Sequence, residues 1–257
     1  MTTAIVGYTG FVGGNLLAKR DFDDQFNSAN VGEIAGRHYD RVVFAAAKAE
    51  KWRINQDPEA DLVHIAELEQ ILSSFTTDQL VLISTVDVYK NPVGVDEDTP
   101  IDTDGLHAYG LHRYQLERFA AIAHENTSVV RLPGLFGPGI KKNVIYDLLN
   151  DNNVDRINSR GSFQYYNLQH LADDLDVAVE AGIPLINLTS EPVRTDEIAK
   201  AAFGIDFDQQ PEGTVAGSYD MRTKYAQLFG NAGSYTYTRE QTLGELAAFV
   251  AAEKSAA

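Results

Sequence analysis

Gly7, Gly10 and Gly13 stand three residues apart, between a short apolar run that ends at Val6 and a helical apolar pattern that starts at Phe11 and Val12. A strand, a tight glycine turn and a helix form the context in which a chain can hold the phosphates of a dinucleotide. Gly7 permits the sharp turn, Gly10 lets backbone approach a pyrophosphate, and Gly13 lets the helix pack closely on the strand. The helix start adds unpaired N–H groups and a partial positive charge. Glycine collects in any left-handed turn, so the reading rests on the two flanks. Thr9, Phe11 and Val12 complete the loop as cofactor contacts. Farther on, Ser84 and Thr85 close a buried apolar run that starts at Gln79. A hydroxyl at the carboxyl end of a parallel strand sits where open α/β sheets bind ligands. Tyr109 and Arg113 follow, four residues apart and so on one face of a helix.

Other elements have to position these residues. A second strand is expected over residues 25–29, and at its end a dinucleotide fold often carries an acid for the adenosine ribose. Asn27, Ser28 and Asn30 stand there instead, uncharged, with no basic residue clearly placed for a 2′-phosphate. NAD and NADP both remain open. Residues 40–47 read as a buried strand ending in Ala45, Ala46 and Ala47, where small side chains suit tight packing. Asp57-Pro58 opens a helix through about residue 74, with Leu62, Ile65, Leu68, Ile71 and Leu72 at helical spacing. A polar loop over residues 91–105 leads to a second long helix, residues 109–125. After it, residues 127–132 form a strand that runs into a Gly/Pro turn. No histidine–carboxylate cluster has metal-site spacing.

Composition narrows the function class. With 257 residues and a hydrophobic fraction of 44%, the chain can bury a substantial core. A net charge of −16 argues against nucleic acid or an anionic membrane as partner. The absence of cysteine excludes disulfides, thiolate metal sites and cysteine nucleophiles. No apolar run approaches the roughly 18 residues of a membrane span. The first strand starts so close to Met1 that no signal peptide fits before it. A soluble, cytoplasmic protein is expected.

The motifs together resemble the short-chain dehydrogenase/reductase superfamily. Thr9-Gly10-Phe11-Val12-Gly13 is similar to its T-G-x-x-G loop. Ser84-Thr85-Val86-Asp87-Val88-Tyr89 and Tyr109-Gly110-Leu111-His112-Arg113 are similar to the S-[ST]-x-x-V-Y and Y-G-x-x-K of its extended, nucleotide-sugar branch, with arginine in place of lysine. The resemblance implies a catalytic set of Thr85, Tyr109 and Arg113. A tyrosine can move a proton to or from a carbinol oxygen if its pKa, about 10 unperturbed, comes towards operating pH. A cation nearby favours that, and arginine supplies the charge on a planar, bulkier fork. The resemblance also places Ala46, Ala47, Leu132, Pro133, Gly134 and Leu135 against the cofactor, beside Asn27 and Ser28. Gly134 stands where the branch carries asparagine, and Phe163-Gln164-Tyr165-Tyr166 stands where it carries R-D-F. Asp87, Lys141 and Lys142 are substrate-side residues, the two lysines fitting either an anionic group or plain surface charge.

The expected fold is a doubly wound parallel α/β sheet, a single Rossmann-type domain. A small C-terminal substrate lobe is expected from about residues 139–170 and 190–257. The resemblance implies an NAD(P)-dependent oxidoreductase or epimerase acting on a sugar or nucleotide-sugar-like carbinol. It also implies a homodimer formed through the two long helices. The alternative is a dinucleotide-binding regulatory or scaffold protein without effective turnover, favoured by the Arg113 and Gly134 departures.

Overall fold

The computed structural model describes residues 1–256. In chain order, β1 (Thr3–Val6), α1 (Phe11–Leu17), β2 (Asp24–Phe26), β3 (His38–Phe44), α2 (Lys51–Gln56), α3 (Pro58–Leu72), β4 (Thr76–Thr85), β5 (Val93–Val95), α4 (Ala108–Ala123) and β6 (Thr127–Leu132) make the first half. There follow β7 (Gly134–Phe136), α5 (Val144–Asn150), β8 (Ser162–Phe163), β9 (Tyr165–Asn167), α6 (Leu171–Glu180), β10 (Leu185–Asn187), β11 (Val193–Arg194), α7 (Thr195–Ile198), β12 (Asp220–Met221) and α8 (Arg239–Ala256). The chain divides into two compact units. The first comprises residues 1–91, 98–132 and 169–187, and the second residues 92–97, 133–168 and 188–257.

The first unit is built on a six-stranded sheet in the order β10-β6-β4-β3-β1-β2, and every pairing in it is parallel. Side chains alternate across a strand, so a sheet covered on both faces needs apolar residues at every position. β1 and β4 meet that demand. Ala4, Val6, Leu80 and Leu82 join one core with Ile65, Leu68 and Leu72 of α3 and Leu116 and Ala120 of α4. Ile5, Val81 and Ile83 point the other way and are buried as well. On that opposite face Asp176 of α6 receives both Arg20, just past α1, and Arg41 of β3. Each fully buried Leu, Ile or Phe contributes about 1.5–3 kcal/mol relative to an exposed one.

The two long helices are close to expectation. Asp57 caps α3 by accepting from the Ala60 amide, with Pro58 in the first turn where its missing N–H costs nothing. α3 ends at Leu72 and α4 at Ala123, each two residues short of the expected end. Leu62, expected on the packed face, is 42% exposed. The second strand departs further: it spans Asp24–Phe26, not residues 25–29. The Asn27 amide donates to Asn30 Oδ1 and the Ala29 amide to Asn27 Oδ1, an asparagine turn that ends the strand. β3 ends at Phe44, so Ala45, Ala46 and Ala47 lie beyond it. The expected loop over residues 91–105 contains the short strand β5, paired with β12.

The second unit is made of short pairs: β7 with β9, β8 with β11, and β5 with β12. Gln164 holds two of its segments together from a buried position. Its Nε2 donates to the carbonyls of Ser190 and Met221, and its Oε1 accepts from the Met221 amide. The side-chain amide thus does the work of a missing strand residue, which gives Gln164 a structural reason to be there. Glu97 does similar work, accepting from the Thr223 hydroxyl and the Lys224 amide. Among the described residues, no helix is long and apolar enough to cross a membrane.

Candidate active site

Because the strands are parallel, all their carboxyl ends lie on one edge of the sheet. In spatial order that edge carries Leu132 of β6, Thr85 of β4, Ala45 after β3, Gly7 after β1 and Asn27 after β2. Leu132 and Thr85 are direct partners in register. The chain runs from β1 to β2 on one side and then returns to place β3 on the other side of β1. The crevice at such a reversal is where open α/β sheets bind ligands, and the glycine loop opens onto it.

Each glycine has its own constraint. Gly7 has φ +93°, and a Cβ there would lie 2.5 Å from the Ala45 carbonyl oxygen, so side chain and conformation are both excluded. A Cβ on Gly13 would come within 2.3 Å of the Gly7 oxygen, which fixes how closely α1 approaches β1. Gly10 is different. It is exposed, its φ of −76° suits any residue, and a Cβ would meet only the Gly7 oxygen at 3.3 Å. Gly10 is thus the least constrained of the three glycines, although its Cβ would sit tightly against the Gly7 carbonyl. Thr9 is exposed, while Phe11 and Val12 are half-buried. Asn27 is half-buried and donates to the Tyr8 hydroxyl at 2.9 Å, tying the loop to the end of β2; Ser28 is exposed. Ala46 and Ala47 are half-buried against the core. Tyr8 was not foreseen as part of this loop, since its partner lies on another strand.

Thr85, Tyr109 and Arg113 come together in the first unit. Gly110 lets α4 start against the turn after β4: a Cβ there would lie 2.2 Å from the Asp87 carbonyl oxygen. His107 caps the helix by accepting from the Gly110 amide. The Tyr109 amide donates to Asn55 of α2. Tyr109 is 7% exposed. Burial first, and then the charge of Asp87, push its phenol up to about 12, against the opposing pull of Arg113, a hydrogen bond with Thr85 and the charge of Lys51. The hydroxyl is therefore protonated at neutral pH.

Arg113 lies with its guanidinium 4.4 Å from the centroid of the Tyr109 ring. Its two terminal nitrogens grip both carboxylate oxygens of Asp61, and Nη2 also donates to the Lys48 carbonyl at 2.6 Å. His112 Nδ1 shares the same carboxylate at 2.7 Å. The cation expected to serve Tyr109 is thus already balanced by a buried anion. Burial alone would raise the Asp61 pKa, but the hydrogen bonds from Arg113 and His112 outweigh it and hold it below the usual carboxylate range. Asp61, on α3, escaped the sequence reading because nothing local links it to Arg113, 52 residues on.

Lys51 is the other residue that escaped it. From the first turn of α2, its Nζ donates to Asp87 Oδ1 at 2.6 Å. The Asp87 amide in turn donates to the Thr85 hydroxyl at 3.1 Å. In the second unit, Lys141, Lys142 and Gly134 are exposed, and Pro133 and Leu135 half-buried. His38, Asp40 and Asp78 place ligand atoms within 4.8 Å of one another at the opposite, amino-terminal side of β3 and β4; His38 and Asp78 are exposed and no ion is present.

No family model matches the chain, and no curated protein matches it. Solved structures do share its fold. MoeE5 in complex with UDP-glucuronic acid and NAD is 15% identical, with a TM-score of 0.76 over 100% of both chains. A UDP-N-acetylglucosamine 4-epimerase from Methanobrevibacter ruminantium is 13% identical, with a TM-score of 0.77 over 100% of this chain and 99% of that one. A dTDP-4-dehydrorhamnose reductase from Clostridium acetobutylicum is 14% identical, with a TM-score of 0.76 over 99% of this chain and 100% of that one. The chain has their fold, a doubly wound Rossmann-type α/β sheet.

Proposed function

We propose that the protein is an NAD(P)-dependent oxidoreductase or epimerase acting on a sugar or nucleotide-sugar-like carbinol. The observation that carries this reading is the glycine loop at the reversal of strand order, with Gly10 exposed in an ordinary backbone conformation between two glycines that backbone contacts fix. In this reading Gly7, Thr9, Gly10, Phe11, Val12 and Gly13 hold the dinucleotide phosphates. Asn27 and Ser28 face the adenosine ribose, and Ala46, Ala47, Leu132, Pro133, Gly134 and Leu135 are further cofactor contacts. The neighbours named above bear on the same point, since one is a complex with NAD and two are named for nucleotide-sugar chemistry. A bound nicotinamide would supply hydride transfer to or from a substrate carbon. Tyr109 gives or takes the proton on the substrate oxygen, Thr85 orients that oxygen, and Arg113 steadies the Tyr109 ring from its face. Asp87 and, from the second unit, Lys141 and Lys142 are assigned to the substrate, that unit being the substrate lobe.

A homodimer belongs to the same reading. α3 and α4 pack side by side, and they expose Val63 (62%), Leu62 (42%) and Ile122 (81%). A protein that binds the dinucleotide without effective turnover is the second reading, favoured by one observation: Asp61 already balances Arg113. Calorimetry with oxidised and reduced NAD and NADP tests binding. Incubation of the loaded protein with keto sugars and sugar nucleotides, followed by nicotinamide absorbance, separates the two readings. Binding of none of the four dinucleotides would overturn both.

A further inference from the structure

The titratable groups around Tyr109 come from three places, α4 with its cap, the turn after β4, and α2. Arg113 approaches from the next turn of α4, Asp87 from the turn after β4, Lys51 from α2, and His107 from the α4 cap with its ring centroid 6.4 Å from that of Tyr109. Burial and then the Lys51 charge lower the His107 pKa, so His107 is neutral at pH 7. Arg113 is balanced by Asp61 through two hydrogen bonds and is only 2% exposed. Asp87 is then the anion left to be offset. It sits two residues past Thr85, is itself hydrogen-bonded to the Thr85 hydroxyl, and acts on Tyr109 more strongly than any other single charge. Lys51 meets it at 2.6 Å, with a side chain 37% exposed. The same short helix is pinned over the start of α4 by Asn55, which accepts from the Tyr109 amide at 3.0 Å. Two side chains one turn apart on α2, Lys51 and Asn55, therefore hold Asp87 and the tyrosine itself.

We propose that Lys51 is a positioning residue for Tyr109, offsetting Asp87 so that the phenol can exchange its proton, a part closed to Arg113 because Asp61 occupies it. This rests on the reading of Tyr109 as the acid/base. It assigns to α2 a function that no catalytic motif marks. It also gives Asp87 a definite duty: its charge keeps the hydroxyl protonated between turnovers, and Lys51 limits how strongly. Removing Lys51 leaves an uncompensated carboxylate beside Thr85. Removing both members should restore a neutral surround, so the defect of one variant is corrected by the other.

The test is a titration that needs neither dinucleotide nor substrate. Ring-fluorinated tyrosine, whose phenol is more acidic than tyrosine's, is incorporated throughout, and Tyr109→Phe identifies the Tyr109 signal by 19F NMR. Asp87→Asn should lower the Tyr109 midpoint by about one pH unit, and Lys51→Met should raise it by a similar amount. Lys51→Arg should leave it near wild type. In the double variant the two shifts should offset each other and bring the midpoint back towards wild type. An unchanged midpoint in Lys51→Met, no fall in Asp87→Asn, or a double variant no closer to wild type than Lys51→Met would each overturn the proposal. Lys51 and Asp87 are both partly exposed, so these variants are expected to fold. Once a substrate is in hand, kcat should fall in Lys51→Met with KM for the dinucleotide unchanged, and be kept in Lys51→Arg. A protein that fails to bind dinucleotide but shows these shifts would refute the proposed function while leaving the charge pair intact.

Discussion

Tyr109 and Arg113 look like a pair on paper, yet the two should respond differently to mutation. Tyr109→Phe removes one oxygen and its hydrogen bond with Thr85, a change worth about 1 kcal/mol of stability. It should abolish turnover and leave calorimetric dinucleotide binding within a factor of two or so of wild type, because the glycine loop is untouched. Turnover at the wild-type rate would remove Tyr109 from the mechanism. Arg113→Met should instead act mainly on folding, since it strands a buried Asp61. Breaking a buried pair by removing one partner costs about 3–5 kcal/mol, read as a lower urea midpoint. Arg113→Lys keeps the charge but loses the fork geometry, and should fall between the two. The pH dependence has a definite sign. A carboxylate depressed in the fold stabilises it above the unfolded pKa of about 3.9, and that contribution is lost as pH falls through the lower folded value. The stability gap between wild type and Asp61→Asn should therefore narrow on acidification below about pH 4.

At the scale of the element, two glycines separate a folding constraint from a ligand constraint. Gly110→Ala would drive a Cβ into the Asp87 carbonyl and push the start of α4 away from the turn after β4. Overpacking of this kind costs about 1–3 kcal/mol, so the melting temperature should fall, and Tyr109 shifts with the helix that carries it. Gly10→Val meets a milder obstacle, the Gly7 carbonyl oxygen 3.3 Å from its Cβ. Its melting temperature should stay within a few degrees of wild type while dinucleotide affinity drops ten-fold or more, because the branched side chain occupies the space assigned to the pyrophosphate. Equal affinity in Gly10→Val and wild type would place the phosphates elsewhere.

For the whole molecule, the proposed dimer makes a prediction about surface. Val63 and Ile122 lie exposed on the two neighbouring helices, and the proposed dimer would cover them. Light scattering at micromolar concentration should give twice the chain mass. Val63→Glu combined with Ile122→Glu should give the single mass with an unchanged melting profile at the level of secondary structure. A wild type that is already monomeric would refute the arrangement.

Much of the architecture was legible locally. Glycine spacing between an apolar run and a helical pattern, apolar strands without polar alternation, and an Asp-Pro helix start are each set by neighbours in the chain, through steric limits and periodicities of a few residues. Those features led to a doubly wound parallel sheet, and that is the sheet found. The end of β2 was misjudged for a local reason as well, since an asparagine turn competed with strand pairing at Asn27. The charge balance of the candidate site is another matter. Whether Arg113 carries an available charge depends on Asp61, 52 positions away, and whether Asp87 does depends on Lys51, 36 positions away. Gln164 likewise became a structural residue only when Ser190 and Met221 met it. Electrostatic interactions act through space and strengthen where water is excluded, so only the packing of α2, α3 and α4 decides which charges are balanced and which act on the tyrosine.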